Sequence, residues 1–268
     1  MTMAVTDLLV SVEIGGIPIR LQTSDPGFAR MLEDRYAGFL NSSAEGDVEF
    51  QVNLTRPRAM GPDDDVDVRL ENGRWRFRRG DFDAEWDPQS GRGRVRHAPS
   101  PYAIDSVLRL VHTIVLARQG GFLLHAASAV RQGRAFLFSG VSGAGKTTIS
   151  RLAPPDVTLL TDEVSYVRRV GQGYRAFGTP FAGELARVGE NVSAPVAAVY
   201  LLAKGAENRV EPLAPAEAAQ MLLRNILFFA QDRDLVNRVF EAACEFVTSI
   251  PVYRLTFFPD ARIWELVP

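Results

Sequence analysis

Lysine is nearly missing from this chain. Its 268 residues carry 30 basic side chains, yet Lys146 and Lys204 are the only lysines and the rest are arginines. That imbalance reads as genomic base composition, and it makes Lys146 conspicuous. Cysteine is scarcer still: with Cys244 alone, no internal disulfide can form, which fits a reducing cytoplasm. Cys244 sits in Glu-Ala-Ala-Cys-Glu-Phe-Val, a helical pattern in which a buried structural thiol is expected rather than a nucleophile. Charge of one sign is also lacking. A formal net charge of -2 gives no electrostatic case for a nucleic-acid or membrane-surface partner. Long apolar runs are absent, the longest being the strand-sized Val196 to Ala203, far short of a bilayer span. Met1 to Val10 carries Asp7 and no basic region ahead of an apolar stretch, so no signal peptide is expected and the expected location is cytoplasmic. What remains is ordinary globular composition, 46% hydrophobic and 23% charged, without repeats or low-complexity tracts.

Leu8 to Ile14 and Ile17 to Leu21 read as strands joined by Gly15-Gly16, a hairpin signal. Asp25-Pro26 offers an N-cap followed by proline, opening a helix with Phe28, Met31, Leu32, Arg35, Tyr36 and Phe39 near helical spacing. From Val48 to Arg96 the pattern alternates, with turns expected at Gly61-Pro62, Asn72-Gly73 and Ser90-Gly91. Pro99 and Pro101 mark a boundary, after which Ile104, Val107, Leu108, Val111, Val115 and Leu116 line one helical face up to Gly120-Gly121. Beyond it, strands are expected at Phe122 to Val130 and Arg134 to Ser139, a helix from Lys146, and a strand at Val157 to Leu160. A hairpin across Gly171-Gln172-Gly173 and a strand at Val196 to Ala203 follow. Helices at about 215 to 229 and 232 to 248 precede a final strand pair, Val252 to Phe258 and Ile263 to Val267. The expected fold class is α/β. A smaller α+β domain over 1–98 and a connecting helix over 99–121 lead into a mixed-sheet P-loop domain over 122–268.

Chemistry concentrates at Gly140-Val141-Ser142-Gly143-Ala144-Gly145-Lys146-Thr147. A P-loop needs a strand, a turn of small residues and a helix opening beneath bound phosphates, with backbone N–H groups pointing inward. The three glycines let the backbone approach a ligand without a side-chain clash. Lys146 can reach the terminal phosphates, and the Thr147 hydroxyl can take a magnesium position. The buried-strand pattern Ala135-Phe-Leu-Phe-Ser139 supplies the required context. Next comes Leu159-Leu160-Thr161-Asp162-Glu163, an apolar strand ending in paired carboxylates. Such a pair suits magnesium coordination and acceptance of a proton from an attacking hydroxyl. Strand alternation lets both carboxylates serve one site only if the strand ends there. His125, within Leu123-Leu-His-Ala-Ala-Ser, reads either as a phosphate or proton-transfer partner or as a satisfied core histidine. His97, which follows an Arg/Gly-rich edge, and His112, on the surface of its helix or in its packing, have weaker claims.

The run from Leu124-His125 through Phe138-Ser-Gly-Val-Ser-Gly-Ala-Gly-Lys-Thr-Thr148 to Leu160-Thr-Asp-Glu163 resembles the catalytic domain of HPr serine kinase/phosphorylase. The same loop style, followed by paired acids, occurs in the related phosphoenolpyruvate carboxykinases. The resemblance covers about residues 120 to 180 and runs more loosely to the C-terminus, while the N-terminal third is unlike the usual HPr kinase N-terminal domain. It implies ATP and magnesium as cofactors, with residues 140–148, including Thr148, around the nucleotide. Lys146 and Thr147 become phosphate and metal ligands, Asp162 a metal contact, Glu163 the catalytic base, and His125 a neighbour of the transferred phosphate. Gly178-Thr-Pro-Phe181 is similar to a Gly-x-Pro segment of the family. Glu163 stands where the bifunctional enzymes have aspartate. Their Glu-x-Arg-Gly signature is replaced by Gly183-Glu184-Leu-Ala-Arg187-Val-Gly189, in which Glu184 and Arg187 stand as a remnant. Phosphorylase activity and recognition of HPr are therefore not expected. The chain looks closer to stand-alone HPr-kinase-like proteins, some of which phosphorylate a peptide serine.

The leading expectation is an ATP-dependent kinase acting on a hydroxyl, of a serine in a protein or peptide or of a small molecule. A nucleotide-binding regulatory module with little turnover is the alternative from another class. Carboxykinase-like chemistry is a third, for which Arg224 and Arg254 are the candidate acid-binding arginines. The sequence is compatible with a homo-oligomer and does not fix its number.

Overall fold

The computed structural model describes residues 7–42, 46, 48–56, 65–185 and 188–268. The first six residues, the turn expected at Gly61-Pro62, and Arg187 lie outside the described residues. The chain divides into two compact units, Met1–His112 with Phe229–Asp232, and Thr113–Phe228 with Arg233–Pro268.

The first unit is built on seven strands: β1 (Leu8–Ile14), β2 (Ile17–Thr23), β3 (Val48–Leu54), β4 (Asp67–Glu71), β5 (Arg74–Arg79), β6 (Phe82–Trp86) and β7 (Arg92–His97). They line up as β1-β2-β3-β7-β6-β5-β4, with β2–β3 and β3–β7 parallel and the other neighbours antiparallel. Gly15 and Gly16 have φ of 63° and 74°, and Asn72 and Gly73 have 52° and 78°. Two successive positive φ values define the hairpin turn whose twist matches its flanking strands, which is why these dipeptides are legible as turns. Helix α1 (Pro26–Arg35) starts as expected: the Phe28 amide donates to the Asp25 carboxylate at 2.8 Å, with proline in the first turn. Helix α2 (Pro101–Arg118) carries Asp105, which ties it to α1. There the Arg35 guanidinium donates at 2.5 Å and the Tyr36 hydroxyl at 2.6 Å to the two oxygens of Asp105. The division between units falls inside α2, between His112 and Thr113.

The second unit begins with β8 (Phe122–Arg131) and β9 (Arg134–Ser139), followed by α3 (Lys146–Arg151). Then come β10 (Val157–Thr161), β11 (Val164–Val170), β12 (Gly173–Phe177), β13 (Ser193–Lys204) and β14 (Arg209–Pro212). The chain closes with α4 (Pro215–Leu223), β15 (Ile226–Leu227), α5 (Arg233–Ser249) and β16 (Val252–Phe257). The pairings β8–β9–β13–β12–β11–β8 return to their start, and β13 is parallel to both β9 and β16. This is a mixed α/β protein.

Alternation along β9 decides its packing. Ala135 and Leu137 face a core with Leu160, Val199, Leu222 and Phe246, while Phe136 and Phe138 face a second core with Ile149, Tyr200, Phe257 and Trp264. The strand that delivers the glycine loop is thus buried on both sides and held rigid.

Three sequence expectations change. The helix expected to about residue 229 ends at Leu223, because the Asn225 side chain donates to the Met221 carbonyl at 2.9 Å and its amide to Leu222 at 2.9 Å. The apolar residues that follow pair with β8 as β15. The last expected strand is instead a 3₁₀ turn, Ala261–Leu266, capped by Asp260 accepting from the Arg262 amide. Its Trp264 indole N–H donates to the Ile149 carbonyl beneath α3 at 3.1 Å. Cys244 is half-buried on α5 rather than enclosed. No helix is long and apolar enough to cross a membrane among the described residues.

Candidate nucleotide site

β9 ends at Ser139, whose hydroxyl donates to the His125 carbonyl at 3.0 Å. The loop that follows is exposed at Val141, Ser142 and Gly143 and tightens at Ala144, whose amide donates to the Val141 carbonyl at 3.0 Å. Gly145 has φ of 114°, and a Cβ there would lie 2.4 Å from the Phe257 ring. The loop therefore lies directly on a buried aromatic, and only glycine fits. Lys146, Thr147 and Thr148 open α3. Lys146 is 7% exposed, and its ammonium folds back to donate to the carbonyls of Gly140 at 2.9 Å and Val141 at 3.3 Å. Burial pulls its pKa below the usual lysine range, while the charges of Glu163 and Glu184 oppose that shift.

The acidic pair lies in a break between strands. β10 ends at Thr161 after a register shift against β8, and β11 starts at Val164 opposite His125. The Thr161 hydroxyl accepts from the amides of Glu163 and Val164, both at 3.2 Å, which turns the chain at the pair. Strand alternation is interrupted there, so neighbouring carboxylates need not point to opposite faces. Glu163 is half-exposed, with Oε1 3.7 Å from His125 Nε2. His125 is held by its strand and by its amide, which donates to Asn225 at 2.8 Å. Burial and then the Lys146 charge lower the His125 pKa, with Glu163 opposing. A neutral imidazole beside a carboxylate is the consequence near neutral pH.

Asp162 is 3% exposed, and both of its oxygens are engaged: Oδ1 by the Gly183 amide and Oδ2 by the Leu185 amide, each at 2.9 Å. A metal contact expected from it would have to use the lone pairs that these amides leave. Two short stretches, at Thr179 and at Glu190, run against β10. The Thr179 amide donates to Leu160 at 3.1 Å, the Glu190 amide to Leu159 at 3.1 Å, and the Thr179 hydroxyl to Val164 at 3.1 Å. Gly189 admits this approach, since a Cβ there would stand 1.7 Å from the Leu160 carbonyl oxygen, and Gly178 admits Glu190, whose carbonyl oxygen would stand 1.8 Å from a Cβ on Gly178.

Glu163 and His125 thus lie side by side within range of the Lys146 charge, with Thr147 in the helical turn that follows the glycine loop. The other two histidines belong to the first unit. Burial drives the pKa of His112 down to about 3. The His97 ring contacts the Ala98 carbonyl. Arg254 pairs with Glu217 at 2.6 Å, and Arg224 is exposed, so neither joins an acid-binding cluster. Sequence reasoning did not anticipate the Asp162 clamp. Three glycines within twelve residues of 178–189 were the available signal.

No curated protein matches the chain. Among solved structures, the HPr(Ser) kinase/phosphatase from Coxiella burnetii is similar over 54% of this chain and 85% of that one, at 13% identity and a TM-score of 0.30. A family model described as SynChlorMet cassette protein ScmC matches residues 102–268, more than half of the chain, with the glycine loop, the acidic pair and His125 inside the match. The chain belongs to the ScmC family of SynChlorMet cassette proteins.

Proposed function

We propose that this protein is an ATP-dependent phosphotransferase that moves the γ-phosphoryl group to a hydroxyl, with a serine of a protein or peptide as the acceptor class. The observation that carries the reading is that Glu163 and His125 lie 3.7 Å apart and within range of the Lys146 charge, beside a glycine loop whose backbone is shaped by buried packing. Binding of the triphosphate would draw Lys146 from the Gly140 and Val141 carbonyls to phosphate oxygens, a stronger, charge-assisted partner. The amides of residues 143–148 would surround the β-phosphate, as in other P-loops.

The acceptor O–H attacks the γ-phosphorus, its proton passes to the Glu163 carboxylate, and the bond to the β–γ bridging oxygen breaks to release ADP. His125, neutral and with Nε2 3.7 Å from Glu163 Oε1, would help to orient that carboxylate. Among the described residues there is no group of three or more His, Cys, Asp or Glu able to hold a metal unaided. A magnesium ion arriving with the nucleotide fits such a site, where phosphate oxygens and water complete its shell. The Thr147 hydroxyl would hold it, and when bound it supplies charge neutralisation on the β- and γ-phosphates. Positioning and charge stabilisation would then account for most of the catalysis.

Calorimetric binding of magnesium ATP, paired with transfer assays on a serine-containing peptide and protein pool, tests this. Wild type should bind and transfer, Lys146→Ala should lose binding, and Glu163→Gln should bind without transferring. Lys146-dependent binding with no transfer to the pool or to water would make the nucleotide-binding regulatory module the better reading.

A further inference from the structure

Among the carboxylates of the site, Asp162 alone has both oxygens engaged by backbone amides. The two donors, Gly183 and Leu185, flank Glu184, so one buried side chain grips both sides of a single residue. The turn is seated as well as tethered. A Cβ on Gly183 would lie 2.8 Å from Glu163 Cβ and Oε2 and 2.9 Å from Asp162 Oδ2, so the chain crosses directly over the acidic pair. At the tip, Glu184 is exposed and makes no hydrogen bond or ion pair among the described residues. It is close enough for its charge to act on Lys146.

We infer that Asp162 is a positioning residue, clamping the Gly183–Leu185 turn so that Glu184, rather than Asp162, is the second carboxylate offered to the bound magnesium nucleotide beside Glu163. This rests on the nucleotide reading given above. The residue type at 162 follows from the clamp. Only an ionised carboxylate accepts at two oxygens at once, whereas asparagine offers one acceptor and turns an N–H toward an amide N–H. A direct metal contact through Asp162 would compete with those two amides for the same buried oxygens. Glu184 carries no such obligation, and its carboxylate is free to meet a cation.

The test uses the full chain with two readouts. The first is backbone amide hydrogen exchange over the Gly183–Leu185 segment in wild type, Asp162→Asn and Glu163→Gln. Asp162→Asn should speed exchange there by about tenfold, while Glu163→Gln leaves it unchanged. The second is the affinity for magnesium ATP by calorimetry in Asp162→Asn, Glu184→Gln and the double variant. Each single change should weaken binding by about tenfold. The double variant should also weaken it by about tenfold rather than about a hundredfold, because the two residues act as one unit. Unchanged exchange in Asp162→Asn, or effects that multiply, would overturn the inference. Multiplying effects would return Asp162 to the metal. If wild type binds no nucleotide, the nucleotide reading falls by itself, and the exchange result still decides whether Asp162 is a clamp.

Discussion

Replacing Gly145 by alanine perturbs the loop at the point where backbone and core are most tightly matched. Two costs are separable. At φ of 114° an alanine is held in a conformation that L-residues rarely adopt, worth about 1–3 kcal/mol. Its Cβ would also stand 2.4 Å from one ring carbon of Phe257 and 2.9 Å from another, forcing the ring or the loop to move. Overpacking of that kind costs about 1–3 kcal/mol. Phe257 is 4% exposed and packs with Phe138, Ile149 and Trp264, so the ring has little room to retreat. For a chain of this size each kcal/mol lowers Tm by about 2–4 °C, so the melting temperature should fall by roughly 4–24 °C. Calorimetric or fluorescence melting gives the number, and a cycle with Phe257→Leu separates the terms. The smaller side chain should recover about 1 kcal/mol of the steric part and none of the backbone part. An unchanged Tm in Gly145→Ala, with no coupling to Phe257, would refute the reasoning.

Asp105→Ala should destabilise the first unit by about 2–4 kcal/mol in urea unfolding, since it strands the buried Tyr36 hydroxyl and the half-buried Arg35 together. Burial holds the pKa of His112 near about 3 against an ordinary 6.5, so between those values the unfolded chain binds a proton that the folded chain refuses. Stability should therefore fall as pH drops through that window, by about 1.4 kcal/mol per pH unit from this group. The decline should be shallower in His112→Gln, read from urea midpoints at matched pH. Gly189→Ala should detach the 189–190 segment from β10, because its Cβ would meet the Leu160 backbone oxygen at 1.7 Å. Limited proteolysis should then cut within that segment faster than in wild type.

Much of the site was legible because its parts are local in sequence. Gly140 to Thr147 follow a run whose alternation, Ala135-Phe-Leu-Phe, is already that of a strand buried on both faces, and the structure delivers the loop from that strand. Asn72-Gly73 and Gly15-Gly16 were legible for a similar reason, since each dipeptide supplies the positive φ its own turn needs. Features made by distant residues were not legible. Asp162 meets amides that lie 21 and 23 residues further along, and no periodicity in the sequence announces that contact. Ile263 to Val267 is a short apolar-rich run expected as a strand, but Asp260 caps it into a 3₁₀ turn and Trp264 finds its partner on Ile149. The apolar stretch after Leu223 carries a helical pattern that the side chain of Asn225 interrupts. Tertiary partners decided these segments against their local pattern.

Transfer of label from magnesium [γ-labelled] ATP to a serine-containing peptide and protein pool tests the central claim most directly. The comparison is wild type against Lys146→Ala and Glu163→Gln. The account predicts a labelled serine product with wild type, none with either variant, and retained nucleotide binding in Glu163→Gln. Label transfer by Glu163→Gln at the wild-type rate, or none by wild type that binds ATP tightly, would contradict it.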